Sequence, residues 1–285
     1  MSKLLLSRGC NVLLADLQLR PEAKELVDRY SGEDPSKPRA VFQRTDVTSW
    51  KDLEDAFNTC EREFGGVDIV VPGAGVFEPY WSKFWFPPGA KDSQDAKHGD
   101  RYKMMDINVT HPIRAAQMAI SVFLNPKDGK KCSLENPKRI VMIASIASQI
   151  SSLFAPMYVA SKWAVSGFTR SLGSLENTLG IRCNGVAPGL VRTPLFLDHP
   201  EKLKMVDESK DKWVTPESVA EAMVKLMEDD ELVGGTILEV ATSSQRIVPL
   251  FNNPGPQGEG IRASNSSLMV EEVYKWLETE DWGKF

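Results

Sequence analysis

What the sequence lacks narrows its function early. Its four cysteines, Cys10, Cys60, Cys132 and Cys183, are scattered, with neither the paired spacing of a metal site nor the density of a disulfide framework. No metal centre is expected, and the thiols read as reduced, as in a cytoplasmic protein. Basic residues form no long run, and the net charge is -5. Nucleic acid rewards a concentrated positive face, so it is not an expected partner. No apolar stretch approaches the roughly 18 residues needed to cross a bilayer, so no membrane association is expected. The opening MSKLLLSRGCNVLLA is interrupted by Arg8, Gly9 and Asn11, which argues against a signal peptide. There is no internal repeat.

What is present is an alternation. Short apolar, β-branched runs at Asn11–Ala15, Arg39–Arg44, Val67–Val71, Arg139–Ala144, Ile181–Ala187 and Gly235–Ala241 are separated by longer helical patterns. Such alternation predicts an α/β fold around a parallel sheet. Trp50, Leu53, Phe57, Cys60 and Phe64 recur at steps of three and four, with Ser49 and Asp52 as a start signal. Asp100–Leu124 and Met157–Leu179 read as two long helices, and Thr215-Pro216-Glu217 opens another that runs to about Glu228. Two segments break the pattern. One is the aromatic stretch Phe77–Phe86 within 77–99. The other is the tail, rich in Pro and Gly after Asn252 and ending in a short helix with Val270, Val273, Tyr274 and Leu277 on one face. Residues 1–245 are taken as the main domain and 246–285 as the tail.

Tyr158 and Lys162 are four apart in a helical pattern and so share a face. A tyrosine hydroxyl has a reference pKa of about 10, too high for a base at neutral pH, and a nearby ammonium favours the phenolate. Ser145 lies thirteen residues before Tyr158, just past a strand. Asn108 sits in the helix before that strand. Pro72-Gly73-Ala74-Gly75 follows one strand, and Pro188-Gly189 with Val191 and Thr193 follows another. All fall at a strand's carboxyl end or in the helix beside it, where open α/β sheets bind ligands.

Over residues 1–245 these motifs resemble the short-chain dehydrogenases/reductases. The quoted residues are Ser145 with Tyr158-Val159-Ala160-Ser161-Lys162, Asn108 in Asp106-Ile107-Asn108-Val109, and Arg182-Cys183-Asn184 leading to Pro188-Gly189. The resemblance implies a doubly wound, three-layer Rossmann-type parallel sheet and hydride transfer between a secondary alcohol or ketone and a nicotinamide. In that scheme Tyr158 exchanges the proton, Ser145 polarises the substrate oxygen and Lys162 depresses the tyrosine pKa and bonds the ribose. Asn108 steadies a relay water. Gly73, Ala74, Gly75, Pro188, Gly189, Val191 and Thr193 would line the cofactor, with Asp46 and Val47 beside the adenine. Asp16 at the end of the first strand would bond the adenosine ribose, favouring NAD, with NADP possible because Arg20 is near. The turn at Pro72-Gly73 departs from the family's paired asparagines.

A second departure is larger. The glycine-rich phosphate loop stands about 20 positions before the acidic residue, and counting back from Asp16 lands before Met1. The loop and the family's first strand are therefore expected to be missing from these 285 residues, with Ser2–Arg8 as the last turns of the helix that the loop opens. A misplaced start codon is favoured over a shortened splice form or a decaying remnant, because the catalytic residues persist. The rival reading is a non-catalytic remnant serving as a subunit or binding partner. Gly235–Pro256 looks similar to fungal-type relatives of 15-hydroxyprostaglandin dehydrogenase. Ala155, where those enzymes often carry glutamine, argues against prostaglandin-like substrates and leaves a bulky apolar or secondary-metabolite-like alcohol. Pro194 to about Lys212 is the expected lid. The resemblance also implies a homodimer or homotetramer joined through the two long helices, whose small residues Ala160, Ala164 and Gly167 permit close approach.

Overall fold

The structure, a computed structural model, describes residues 1–277 apart from Glu33, Pro35 and Arg262. The rest of the tail lies outside the described residues, and of Leu277 only the backbone is described. Among the described residues, seven strands form two sheets. β1 (Val12–Asp16) and β2 (Ala40–Arg44) pair in parallel. β3 (Ile69–Val70), β4 (Lys138–Ile143), β5 (Ile181–Pro188) and β6 (Ile237–Val240) follow one another in parallel, and β7 (Gln245–Ile247) adds an antiparallel edge. The break between β1 and β3 falls where the family's first strand is expected. The gap is not bare, since Met1 packs there with Ile69, Val71 and Val141.

Period-two alternation in the central strands distributes side chains to two helical layers. From β4, Ile140 and Met142 meet Ala116, Ala119 and Phe123 of α4 (His111–Leu124) and Val165 of α5 (Pro156–Ser171). Val141 points the other way, to Ala222, Met223 and Leu226 of α6 (Pro216–Glu228). The result is a three-layer α/β fold with helices on both faces of a mostly parallel sheet. Further helices are α1 (Ser2–Ser7) and α2 (Pro21–Arg29) near β1 and β2, α3 (Trp50–Phe64), and α7 (Ser266–Leu277) in the tail, with short turns at Lys103–Met105, Leu175–Leu179, Pro194–Leu197 and Pro200–Leu203. Two predicted caps form. Ser49 Oγ accepts from Asp52 N–H at the start of α3, and Thr215 Oγ1 from Ser218 N–H at the start of α6.

Two expectations are corrected. The helix expected over Asp100–Leu124 begins at Lys103 and passes through a π-helical segment, Asp106–Thr110, before α4. Pro112 explains this: it has no N–H to give the carbonyl four residues back, that of Asn108. The helix expected over Met157–Leu179 ends at Ser171 and resumes only over Leu175–Leu179. Between them Gly173 crosses Gly234 so closely that a Cβ on Gly173 would lie 2.6 Å from the Gly234 oxygen. The edge strand β7 and helix α2 went unread.

The family motif Arg182-x-Asn184 turns out to be scaffold. Arg182 pairs with Glu176 and donates to the Asp229 carbonyl at 2.8 Å. Asn184 gives its two N–H groups to the Leu226 and Leu232 carbonyls and accepts from Thr236 N–H. Together they lock β5 to the end of α6. No helix among the described residues is long and apolar enough to cross a membrane.

Candidate active site

A cleft of about 1550 Å³ opens at the carboxyl ends of the strands. It is lined by Asp16, Asp46, Val47, Gly73, Ala74, Gly75, Ser145, Tyr158, Lys162, Pro188, Gly189, Val191 and Thr193. The sequence-predicted residues thus meet on one surface, with one exception. Asn108 is buried behind the cleft. Its Oδ1 accepts from Val76 N–H at 2.9 Å, and its Nδ2 donates to the Val76 carbonyl at 2.8 Å and to Ser161 Oγ at 3.2 Å. It therefore clamps the turn through Gly73–Gly75 to the helix that carries Tyr158.

β4 ends at Ile143, and Ser145 caps the short helical turn Ile146–Gln149 by accepting from Ala147 N–H at 3.1 Å. The same hydroxyl is near enough to Tyr158 to lower its pKa. Tyr158 and Lys162 lie one turn apart on α5, with Lys162 Nζ 5.5 Å from the centre of the tyrosine ring. Lys162 Nζ donates to the Ile143 carbonyl at 2.9 Å. Burial sets both groups' acidity. It raises the Tyr158 pKa, which the Ser145 hydroxyl partly offsets, and it lowers Lys162 to about 8. The expected depression of the tyrosine by its lysine is thus not seen in this state: burial outweighs it, and the lysine is spent on a backbone carbonyl. His111, held at about 4 by burial, accepts no proton near neutrality.

At the other end of the cleft, Asp16 Oδ1 accepts from Leu17 N–H at 2.7 Å. Arg20 is turned across the mouth to pair with Asp198, so its guanidinium is engaged. Asp46 is folded into its own turn, its Oδ1 accepting from Thr48 N–H and Oγ1. The segment after Thr193 does cover the cleft, through Leu195, Phe196, His199 and Met205. From the aromatic stretch, Phe77 reaches the lining, 4.6 Å centre to centre from the Tyr158 ring. Trp85 is buried with Met269 and Val273 of α7, and Phe86 packs on that cluster. Ser266, Ser267 and Val270 of α7 line the cleft, so the tail helix folds back on its own chain.

Sequence reasoning missed Glu78. It is 2% exposed, at a left-handed φ of 37°, and its Oε2 accepts from Tyr158 N–H at 2.9 Å while Oε1 accepts from Phe84 N–H at 3.1 Å. A carboxylate thus sits on the N-terminal turn of α5, where the helix field favours negative charge. Nothing periodic marks it, because it lies in an irregular loop 80 positions from its partner Tyr158. The polar cluster of Glu239, Arg246, Gln149 and Asn253 was missed for the same reason. Arg246 holds the buried Glu239 at 2.8 and 2.9 Å, and Gln149, four residues after Ser145, bonds both.

The family model described as short chain dehydrogenase matches residues 1–204. The chain belongs to the short chain dehydrogenases, a family of oxidoreductases. Among curated relatives, it is 28% identical over 241 residues to the short-chain dehydrogenase/reductase prx7 of Penicillium rubens, covering 83% of this chain and 73% of that protein. It is 27% identical over 255 residues to human 15-hydroxyprostaglandin dehydrogenase [NAD(+)], covering 84% of each. Among solved structures, a 4-hydroxyisoleucine dehydrogenase complexed with NADH and succinate superposes with a TM-score of 0.61 at 21% identity, over 84% of this chain and 91% of that one. That last likeness concerns the fold.

Proposed function

We propose that the protein is an NAD-dependent dehydrogenase that interconverts a secondary alcohol and a ketone, on a bulky apolar or secondary-metabolite-like substrate. The observation that carries this is the meeting of Ser145, Tyr158 and Lys162 on one wall of the cleft, with Asn108 bracing the opposite turn. Tyr158 takes up or returns the proton of the substrate oxygen. Ser145 Oγ, beside Tyr158 on the same wall, holds that oxygen next to it. Lys162 supplies positive charge that favours the phenolate. The nicotinamide, when bound, accepts or donates the hydride at the substrate carbon. Asn108 keeps the glycine turn in register with α5 and steadies the water that relays the proton.

The residues at both ends of the cleft fit such a cofactor. Asp16 offers a carboxylate oxygen for the adenosine ribose, and Lys162 offers an ammonium with one backbone acceptor for the nicotinamide ribose. Arg20 is held by Asp198 instead of standing free for a 2′-phosphate, which favours NAD over NADP. The pyrophosphate has no glycine-rich turn to receive it among these residues, only the backbone near Gly73–Gly75 and Gly189–Val191. Calorimetric titration of the chain is expected to show NAD binding more tightly than NADP. Binding of neither would bring forward the second reading, a non-catalytic member acting as a subunit.

Glu78 is assigned as a positioning residue. Glu78→Gln is expected to lower kcat about tenfold with little change in KM, and to reduce stability by about 2 kcal/mol through weakened charge-assisted bonds to the α5 amides. Steady-state kinetics beside thermal melting checks both. A stability loss with unchanged kcat would reduce Glu78 to a purely structural cap. The protein is further assigned to the cytoplasm as a homodimer or homotetramer. Support comes from α5, where Ala160, Trp163, Ala164 and Gly167 form an exposed stripe with Trp163 53% exposed, the kind of apolar face that a second copy covers.

A further inference from the structure

Lys202 lies on the four-residue helix Pro200–Leu203 in the segment over the cleft, and it is 2% exposed. Its Nζ is enclosed, and among the described residues nothing accepts a hydrogen bond from it. The ammonium sits 5.0 Å from the centre of the Phe77 ring, the ring that also packs on Tyr158. A buried ammonium without an acceptor has lost its hydration with nothing equivalent in return. A cation–π contact returns only part of that cost.

Among the described residues, the charges around it do not balance. Two buried ammonium groups, Lys83 and Lys202, share the neighbourhood with one buried carboxylate, Glu78. Glu78 is already engaged by the Tyr158 and Phe84 amides. Glu201, on the same short helix, is turned to His199 at 3.2 Å, and Glu272 of α7 receives Lys204 at 3.3 Å. Lys83 is wrapped by rings, 3.7 Å from the centre of Phe154 and 4.9 Å from that of Trp276. One positive charge is left over. Burial accordingly pushes Lys202 down to about 8.

We infer that the substrate carries a carboxylate, which Lys202 receives while the alcohol or ketone carbon faces Tyr158. This deepens the dehydrogenase reading above and rests on it. The cleft wall between the two groups includes Phe77, Leu195, Phe196, Met205 and Val270. The substrate class is therefore a hydroxy or oxo acid with hydrocarbon between its two functions. Lys202 stands behind this wall and does not line the cleft in this structure, so receiving the carboxylate requires its flexible four-carbon stem to carry the ammonium past the Phe77 ring by a rotamer change. The carboxylate takes no part in hydride transfer. It replaces the hydration that Lys202 lost on folding and keeps it charged.

The test uses octanoate against methyl octanoate, titrated calorimetrically into the 285-residue chain, a measurement that needs no cofactor. At pH 7 the acid is expected to bind at least about tenfold more tightly than the ester. Octanoate stays ionised to pH 9 while Lys202 loses its proton, so the preference should shrink over that range. Lys202→Met should abolish the preference and Lys202→Arg should keep it, with melting curves confirming that both fold. Equal binding of acid and ester, or a preference that survives in Lys202→Met, would overturn the inference. Turnover of neutral 2-octanol with NAD separates the two levels. Oxidation of 2-octanol with no acid preference sinks this inference and leaves the dehydrogenase reading standing, whereas an acid preference without any NAD binding sinks the dehydrogenase reading.

Discussion

Replacing Tyr158 by phenylalanine is expected to lower kcat by about three orders of magnitude while leaving NAD affinity and folding nearly unchanged. The ring would keep its edge contact with Phe77, and the only atom lost is the hydroxyl beside Ser145. Burial raises that hydroxyl's pKa above an already high reference value, so oxidation of an alcohol should accelerate as pH rises and the phenolate becomes accessible. The lysine sets where this limb falls. Lys162, near 8 in its buried position, still carries its charge at neutral pH, and the charge favours the phenolate. Lys162→Met should therefore move the alkaline limb of the kcat profile to higher pH. Pre-steady-state and steady-state kinetics across pH 6–10 read both effects. Retention of a tenth or more of wild-type kcat in Tyr158→Phe would remove the tyrosine from the chemistry.

The largest effect on stability is expected at Asn184. Leucine at this position fits the volume approximately but strands two buried backbone groups, the carbonyls of Leu226 and Leu232, and leaves the N–H of Thr236 with only the Val233 carbonyl at 3.2 Å. Each stranded group costs about 1–3 kcal/mol when left unpaired, so the loss should reach roughly 2–6 kcal/mol. For a chain of this size that lowers Tm by about 4–24 °C. Calorimetric melting of Asn184→Leu checks the figure. A shift under about 2 °C would mean that the end of α6 is not fastened to β5 through this side chain.

The contrast between Asn184 and Asn108 shows what the sequence could and could not say. Both belong to the same set of family motifs and both are buried, at 1% and 2% exposure. Only the structure tells that one fastens a strand to a helix while the other clamps the turn that lines the cleft. The repeated apolar spacing of α3 and its Ser49 cap were legible because they are local. The π-helical segment was legible in part, since Pro112 forbids one hydrogen bond, but the spacing alone reads as unbroken helix. Glu78 and Lys202 were not legible. Their importance depends on burial against Tyr158 and Phe77, and burial of a charge in an irregular segment leaves no period to detect. The tail helix was visible as an apolar face, yet its target, the Phe77–Trp85 cluster, was not.

The divided sheet has a further consequence for how the protein responds to ligand. None of the residues of β1 or α2 is buried, and the pair β1–β2 is attached to the main body through α1 and α3. Such a unit opens at a lower free energy than the central strands. Asp16 belongs to that looser unit, whereas Tyr158 and Lys162 stand on the tightly packed one. A dinucleotide long enough to touch both would bridge them as a strut. Its binding energy would be divided between recognition and holding the two halves in register, so affinity at the adenosine end should measure the rigidity of the fold as much as the fit of the site.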